Sequence, residues 1–139
     1  MTIAPYLNFD GRCEEAINFY KSALGAEVEM LMRFKDAPPS DGGCKMAPGT
    51  EDKVMHAAIR IGDSRIMTSD CHVQGKPEFK GISLSLEARD DAQATRIFNA
   101  LTEGGSVCVP LNKTFFASSF GVATDRFGVT WMVVAMPKG

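Results

Sequence analysis

No stretch of this chain approaches the ~20 consecutive apolar residues needed to span a bilayer, so no membrane helix and no membrane partner are expected. Charge of one sign is not in excess. The 15 basic and 17 acidic residues leave a formal net charge of -2, which supplies no electrostatic footprint for nucleic acid or an anionic membrane surface. The first residues, Met1-Thr2-Ile3-Ala4-Pro5, form neither a basic n-region nor an apolar h-region, so no signal peptide is expected there. The four cysteines (Cys13, Cys44, Cys71, Cys108) show no C-x-x-C pairing. Together these features predict reduced thiols in a cytoplasmic protein rather than a disulfide framework. Only two histidines, His56 and His72, are available for imidazole chemistry. No glycine-rich loop follows a strand and opens a helix, so no nucleotide-type cofactor site is expected, and no other cofactor is predicted.

What the chain does have is one plan stated twice. Ile3 to Phe9 reads as an apolar strand and runs into an amphipathic helix over about Cys13–Leu24, closed by Gly25. Some 80 residues later Gly81 to Leu86 runs into a second helix over about Asp91–Glu103, closed by Gly104-Gly105. In the first helix Cys13, Ala16, Ile17, Tyr20 and Leu24 share one stripe; in the second, Ala94, Ile97, Phe98 and Leu101 do. Glu14 and Glu15 suit the positive end of the first helix. Asp90 with Gln93 makes a capping-box-like pair for the second.

Between the helices the period changes to two. Ala26 to Lys35 reads as a strand, and Val54–Ile61 and Ser64–Ser69 as a hairpin turning at Gly62-Asp63. Residues 36–53 form a loop rich in Pro and Gly, long enough to be functional. Asp70 to Lys80 joins the halves. The second half continues with a short strand at Val107–Val109, an irregular stretch over Leu111–Ala117, and a last hairpin, Ser118–Thr124 with Val129–Met136. The order strand-helix-strand-strand-strand, twice, predicts an α+β fold of two tandem βαβββ modules, about 1–75 and 76–139. They form one domain with a curved mixed or antiparallel sheet, outer helices and a concave cleft. Alternation along the strands sends Ile82, Leu84, Leu86, Trp131 and Val133 under the helices, with Cys13 and Cys108 as small core residues. Gly81, Ser83, Ser85, Thr130, Met132 and Val134 take the concave side.

Three strings carry a resemblance. They are Pro5-Tyr6-Leu7-Asn8-Phe9-Asp10-Gly11 with Glu15-Ala16-Ile17-Asn18-Phe19-Tyr20; Val54-Met55-His56-Ala57 with Ile61-Gly62-Asp63-Ser64; and Thr124-Asp125-Arg126-Phe127-Gly128-Val129-Thr130-Trp131. They resemble the PhnB-like branch of the vicinal-oxygen-chelate superfamily, which includes glyoxalase I, extradiol dioxygenases and bleomycin-resistance proteins. The branch is often labelled ubiquinone methyltransferase-like, a label the missing glycine-rich loop does not support. The resemblance implies four cleft positions for a divalent metal: Ala4 or Pro5, Met67, Gly81 and Met132. None offers a donor for such an ion, so no metal site is expected.

The candidate site residues are therefore those of a binding cleft. Tyr6, Asn8, Arg60, Ser83, Ser85, Phe116 and Met132 are its expected lining. His56, beside Arg60, is the one candidate catalytic base, with the arginine as anion anchor. Phe115 and Phe120 accompany Phe116 near the cleft mouth, and Met30, Met32, Met55 and Met67 fall on strands. Cys44 is expected to be an exposed thiol, and the Asp70-Cys71-His72 run a surface loop. Three functions are compatible with this reading. One is a small-molecule-binding protein of the sequestration or resistance type, without metal. Another is a metal-free lyase or isomerase using His56. The last is a structural or regulatory protein. A homodimer is expected because open sheet edges seek partners.

Overall fold

The computed structural model describes residues 1–36, 49, 51–70 and 77–137. The expectations for Cys44, Cys71, His72 and most of the 36–53 loop fall outside the described residues. The described chain contains β1 (Tyr6–Asn8), α1 (Cys13–Leu24), β2 (Glu27–Arg33), a 3-10 turn (Phe34–Asp36), β3 (Val54–Ile61) and β4 (Ser64–Ser69). There follow β5 (Ser83–Ala88), α2 (Asp91–Thr102), β6 (Ser106–Asn112), β7 (Ser119–Thr124) and β8 (Thr130–Ala135).

Two compact units result, Met1–Pro77 and Glu78–Gly139. Each holds a four-stranded sheet, in the orders β1-β4-β3-β2 and β5-β8-β7-β6. In each, the first strand pairs parallel to the last and the remaining pairs are antiparallel. The repeated βαβββ plan is thus present, in mixed sheets. Parallel first and last strands follow from the helix between them, since a parallel neighbour needs a crossover connection.

In the first unit Ala16, Ile17 and Tyr20 of α1 are buried with Leu7, Phe9, Val54, Ala57, Ile59 and Ile66. The helix ends where Gly25 takes φ 69°, and its amide donates back to the Lys21 carbonyl, a left-handed cap that glycine adopts without a Cβ clash. In the second unit Ala94, Ile97, Phe98 and Leu101 are buried with Ala88, Ala123, Trp131, Val133 and Ala135. Its helix starts on Asp90, whose Oδ1 accepts from Gln93 N at 2.7 Å, while Arg89 N donates to Gln93 Oε1 at 2.8 Å.

Several expectations require correction. Ile82 is exposed rather than packed under the helix, and Ile3, expected to open the first strand, is exposed outside it, because β5 and β1 begin only at Ser83 and Tyr6. The second strand of the second unit, β6, is seven residues long, not a fragment at Val107–Val109. Pro110 lies within β6, an edge strand, where a residue without an N–H is tolerated. Cys108 is exposed rather than core. The register of β6 against β7 slips between Val107 and Val109, so the bulge removes Cys108 from the alternation and sets its Sγ 3.2 Å from Thr124 Oγ1.

Candidate functional site

Each sheet has one face under its helix and one without. On the helix-free face of the first sheet the register aligns Tyr6, Met67, Ala58 and Met30 across β1, β4, β3 and β2. Asn8 pairs with Ser69, and His56 with Met32, in the neighbouring row. Directly paired residues share a face, so a tyrosine, a histidine and three methionines meet here although they lie far apart in sequence. Tyr6 and His56 touch: Tyr6 Oη lies 2.9 Å from His56 Nδ1, and the ring centroids are 5.5 Å apart. When Nδ1–H donates to the phenol, Nε2 keeps its lone pair; in the other tautomer the phenol donates and Nε2–H is a donor. The pair can therefore offer a ligand either a donor or an acceptor. The methionines around it supply adaptable apolar contact.

Arg60 is on the same face but is not free. Its guanidinium is paired with Glu27 and also donates to the Gly62 carbonyl at 3.3 Å. Arg65, opposite it on β4, pairs with Glu29 at 2.6 Å. These ion pairs neutralise the charge an anion would need. The Arg65 guanidinium holds the Glu29 carboxyl below the usual carboxylate range, chiefly through their hydrogen bond.

On the helix-free face of the second sheet Ser83, Thr130, Thr124 and Ser106 form one row. Ser85, Met132, Val122 and Val109 form the next, and Glu87, Val134, Phe120 and Asn112 a third. Phe116 packs edge-on against Phe120 at 5.3 Å, and Phe115 against Phe116 at 5.2 Å. A turn presents these rings, with Thr114 Oγ1 accepting from Ala117 N at 3.1 Å.

Two of the metal positions implied by the resemblance lie on these faces. Met67 stands beside Tyr6 and Met132 beside Ser85. Neither they nor Ala4, Pro5 and Gly81 carry a nitrogen or oxygen donor on the side chain. Among the described residues no group of three or more His, Cys, Asp and Glu could hold a metal ion. The donor set does not fit a hard or borderline divalent cation.

Two buried carboxylates prove to be structural, and for Asp70 this corrects its expected place in a surface loop. Asp70 Oδ1 accepts from Gly11 N at 2.7 Å and Cys13 N at 2.8 Å, and Oδ2 from Val54 N at 3.1 Å. It fills the N-terminus of α1, where Arg12 makes no side-chain cap. Asp125 accepts from Phe127 N at 2.9 Å and Val129 N at 3.1 Å through Oδ1, and from Trp131 Nε1 at 2.9 Å through Oδ2. The motif from Thr124 to Trp131 is thus a turn-forming device. The spacing of Asp125, Val129 and Trp131 across the hairpin turn was the available signal for it; Asp70 offered none, since its donors lie 16 to 59 residues away.

No helix among the described residues is long and apolar enough to cross a membrane. The family model described as 3-demethylubiquinone-9 3-methyltransferase matches residues 1–134. Protein YjdN of Escherichia coli strain K12 is 36% identical over 138 residues, covering 96% of this chain and 94% of the relative. The crystal structure of protein PA1353 from Pseudomonas aeruginosa is similar at 44% identity, with a TM-score of 0.86 and 99% of each chain covered. A PhnB protein from Bacillus cereus, described as a putative 3-demethylubiquinone-9 3-methyltransferase, is 26% identical, with a TM-score of 0.77 over 97% of this chain and 99% of that one. With its doubled βαβββ unit and a match over nearly its whole length, the chain belongs to the PhnB-like family that this family model describes.

Proposed function

We propose that the protein binds a small, largely apolar molecule on the helix-free faces of its sheets, for sequestration or carriage and without a divalent metal. The observation that carries this reading is the Tyr6–His56 hydrogen bond set among Met30, Met32, Met67 and Ala58. A polar handle in an apolar, adaptable surround is the usual make-up of a small-molecule site. Asn8 belongs to that same face, and on the second sheet Ser83, Ser85 and Met132, with Phe116 against Phe120, form the corresponding face. Screening a fragment library by ¹H–¹⁵N NMR tests the reading. Hits are expected to shift amides of β1, β3 and β4, or of β5, β7 and β8, and to weaken in Tyr6→Phe. A broad library without one such hit sinks it.

The methyl-transfer label of the family does not enter this reading. The helix N-termini, where an anionic cofactor group would be bound, are occupied by Asp70 at α1 and Asp90 at α2. S-adenosylmethionine is expected to leave the melting temperature unchanged; a saturable rise would reinstate the label.

One observation favours a second reading. The contact at His56 Nδ1 can hold the imidazole with Nε2 as a base, so a lyase or isomerase acting on a small carbonyl compound is the alternative. Its anion anchor, Arg60, would have to leave Glu27. With any substrate found to turn over, His56→Ala would abolish turnover while retaining binding; unchanged turnover would eliminate this reading. We also propose a cytoplasmic homodimer. The edge strands β2 and β6, with exposed Val28, Val107 and Val109, are the surfaces that would pair, and a monomer in light scattering at micromolar concentration would overturn it.

A further inference from the structure

The helix-free face of the first sheet carries a different and softer set of donor groups. We propose that the helix-free face of the first sheet binds one soft monovalent cation, Cu⁺, through the thioethers of Met30, Met32 and Met67 and Nε2 of His56. The register brings these groups together on three adjacent strands: Met32 pairs with His56, Met30 with Ala58, and Ala58 with Met67. Ala58 contributes only a methyl group, so the two long methionine side chains flanking it can lean toward each other above it. Met30 and Met32 are exposed residues, so their flexible side chains can meet an ion from solvent. Thioethers are neutral and polarisable, which selects Cu⁺ over Mg²⁺ or Mn²⁺. The neighbouring carboxylates, Glu27 and Glu29, are each paired with an arginine, so the face offers no surplus negative charge for a divalent ion.

The Tyr6 contact is an independent indication. Metal-binding imidazoles characteristically have their second nitrogen held by a hydrogen-bond partner, which fixes ring orientation and tautomer. Tyr6 Oη lies 2.9 Å from His56 Nδ1, and in the tautomer in which Nδ1–H donates to the phenol, Nε2 is the metal-side nitrogen. Tyr6 is then a positioning residue.

The inference does not rest on the organic-ligand reading, and the test separates them because its probe is the ion alone. Ag⁺, a redox-inert stand-in for Cu⁺, would be titrated in chloride-free buffer into protein labelled with ¹³C at the methionine methyls. Cu⁺ affinity would be read by competition with bathocuproine disulfonate. The Met30, Met32 and Met67 methyl signals are expected to shift together and saturate at one equivalent, with Met132 unmoved. Tyr6→Phe is expected to weaken Cu⁺ on the order of 10- to 100-fold, the loss typical when a ligand's support is removed. Met32→Leu with Met67→Leu is expected to weaken it further. A Cys44→Ser/Cys71→Ser/Cys108→Ser variant is expected to bind as the parent does. Unmoved methionine signals would overturn the proposal. So would binding lost in the cysteine variant and kept in the methionine variant, which would mean capture by thiols.

Discussion

Single side chains in this protein do work that their positions in sequence do not announce. Asp125, buried at the last hairpin, satisfies two turn amides and the Trp131 indole. Orphaning a buried donor costs about 1–3 kcal/mol, so Asp125→Ala should lose about 3 kcal/mol or more in urea unfolding; a loss below about 1 kcal/mol would show that water replaces the carboxylate. Burial pushes the Cys13 thiol up to about 12, with the Asp70 and Glu14 carboxylates adding to the effect and the Thr68 hydroxyl opposing it. The thiolate is the reactive form. At pH 8, native protein treated with iodoacetamide should therefore be alkylated at exposed Cys108 and spared at Cys13. Peptide mapping showing equal modification at both would contradict this. The Asp70 role could not be read from local pattern, because its donors are distant in sequence, whereas the short spacing across the last hairpin turn was the signal for Asp125. The Tyr6–His56 contact depends on β1 lying parallel beside β4, so it too had to await the sheet order.

Elements were far more legible than contacts. Both helices were readable from a 3.6-residue stripe and a glycine stop, α1 with its observed limits Cys13–Leu24 and α2 one residue short of Glu103. The β3–β4 hairpin was equally plain, because Gly62-Asp63 is a turn signal between alternating strands. Legibility failed at bulges and edges, which shift register without altering composition: Cys108 and the extent of β6 are the cases in point. Two glycines next to these elements separate two kinds of constraint. At Gly25 a Cβ would meet nothing within 4 Å, and only the φ of 69° resists it, so Gly25→Ala should cost about 1–2 kcal/mol. At Gly105 a Cβ would lie 2.1 Å from the Thr124 carbonyl oxygen. Gly105→Ala must therefore displace the end of β7 and should cost clearly more. Equal losses in parallel urea titrations would refute the distinction.

At the scale of the whole molecule, the two units share a plan but not an electrostatic character. Among the described residues, the carboxyls held below their ordinary range are Glu14 by Arg33, Glu29 by Arg65 and Asp52 by Lys35, in each case chiefly through a hydrogen bond. All three lie in the unit Met1–Pro77. A carboxyl whose pKa is lower folded than unfolded stabilises the fold above its unfolded value and loses that contribution as pH falls through the folded one. Acidification below the ordinary values of 4.5 for glutamate and 3.8 for aspartate should thus loosen the first unit before the second. The pairs are exposed, so the effect is modest and shrinks with salt. Amide spectra recorded from pH 6 to pH 3 would show it as earlier broadening of residues 1–70; simultaneous loss across both units would count against it.

Asp70 has one more consequence. Its carboxylate joins the β1–α1 junction at Gly11 and Cys13 to the start of β3 at Val54. Those three amides form a receptor whose guest happens to be tethered to the host. Cut the tether, by Asp70→Gly, and the receptor should remain with its cavity vacant. Free acetate or formate could then occupy it from solution, restoring in a concentration-dependent way the stability that the substitution removes. A fold element would have become a carboxylate sensor, with the melting temperature as its signal.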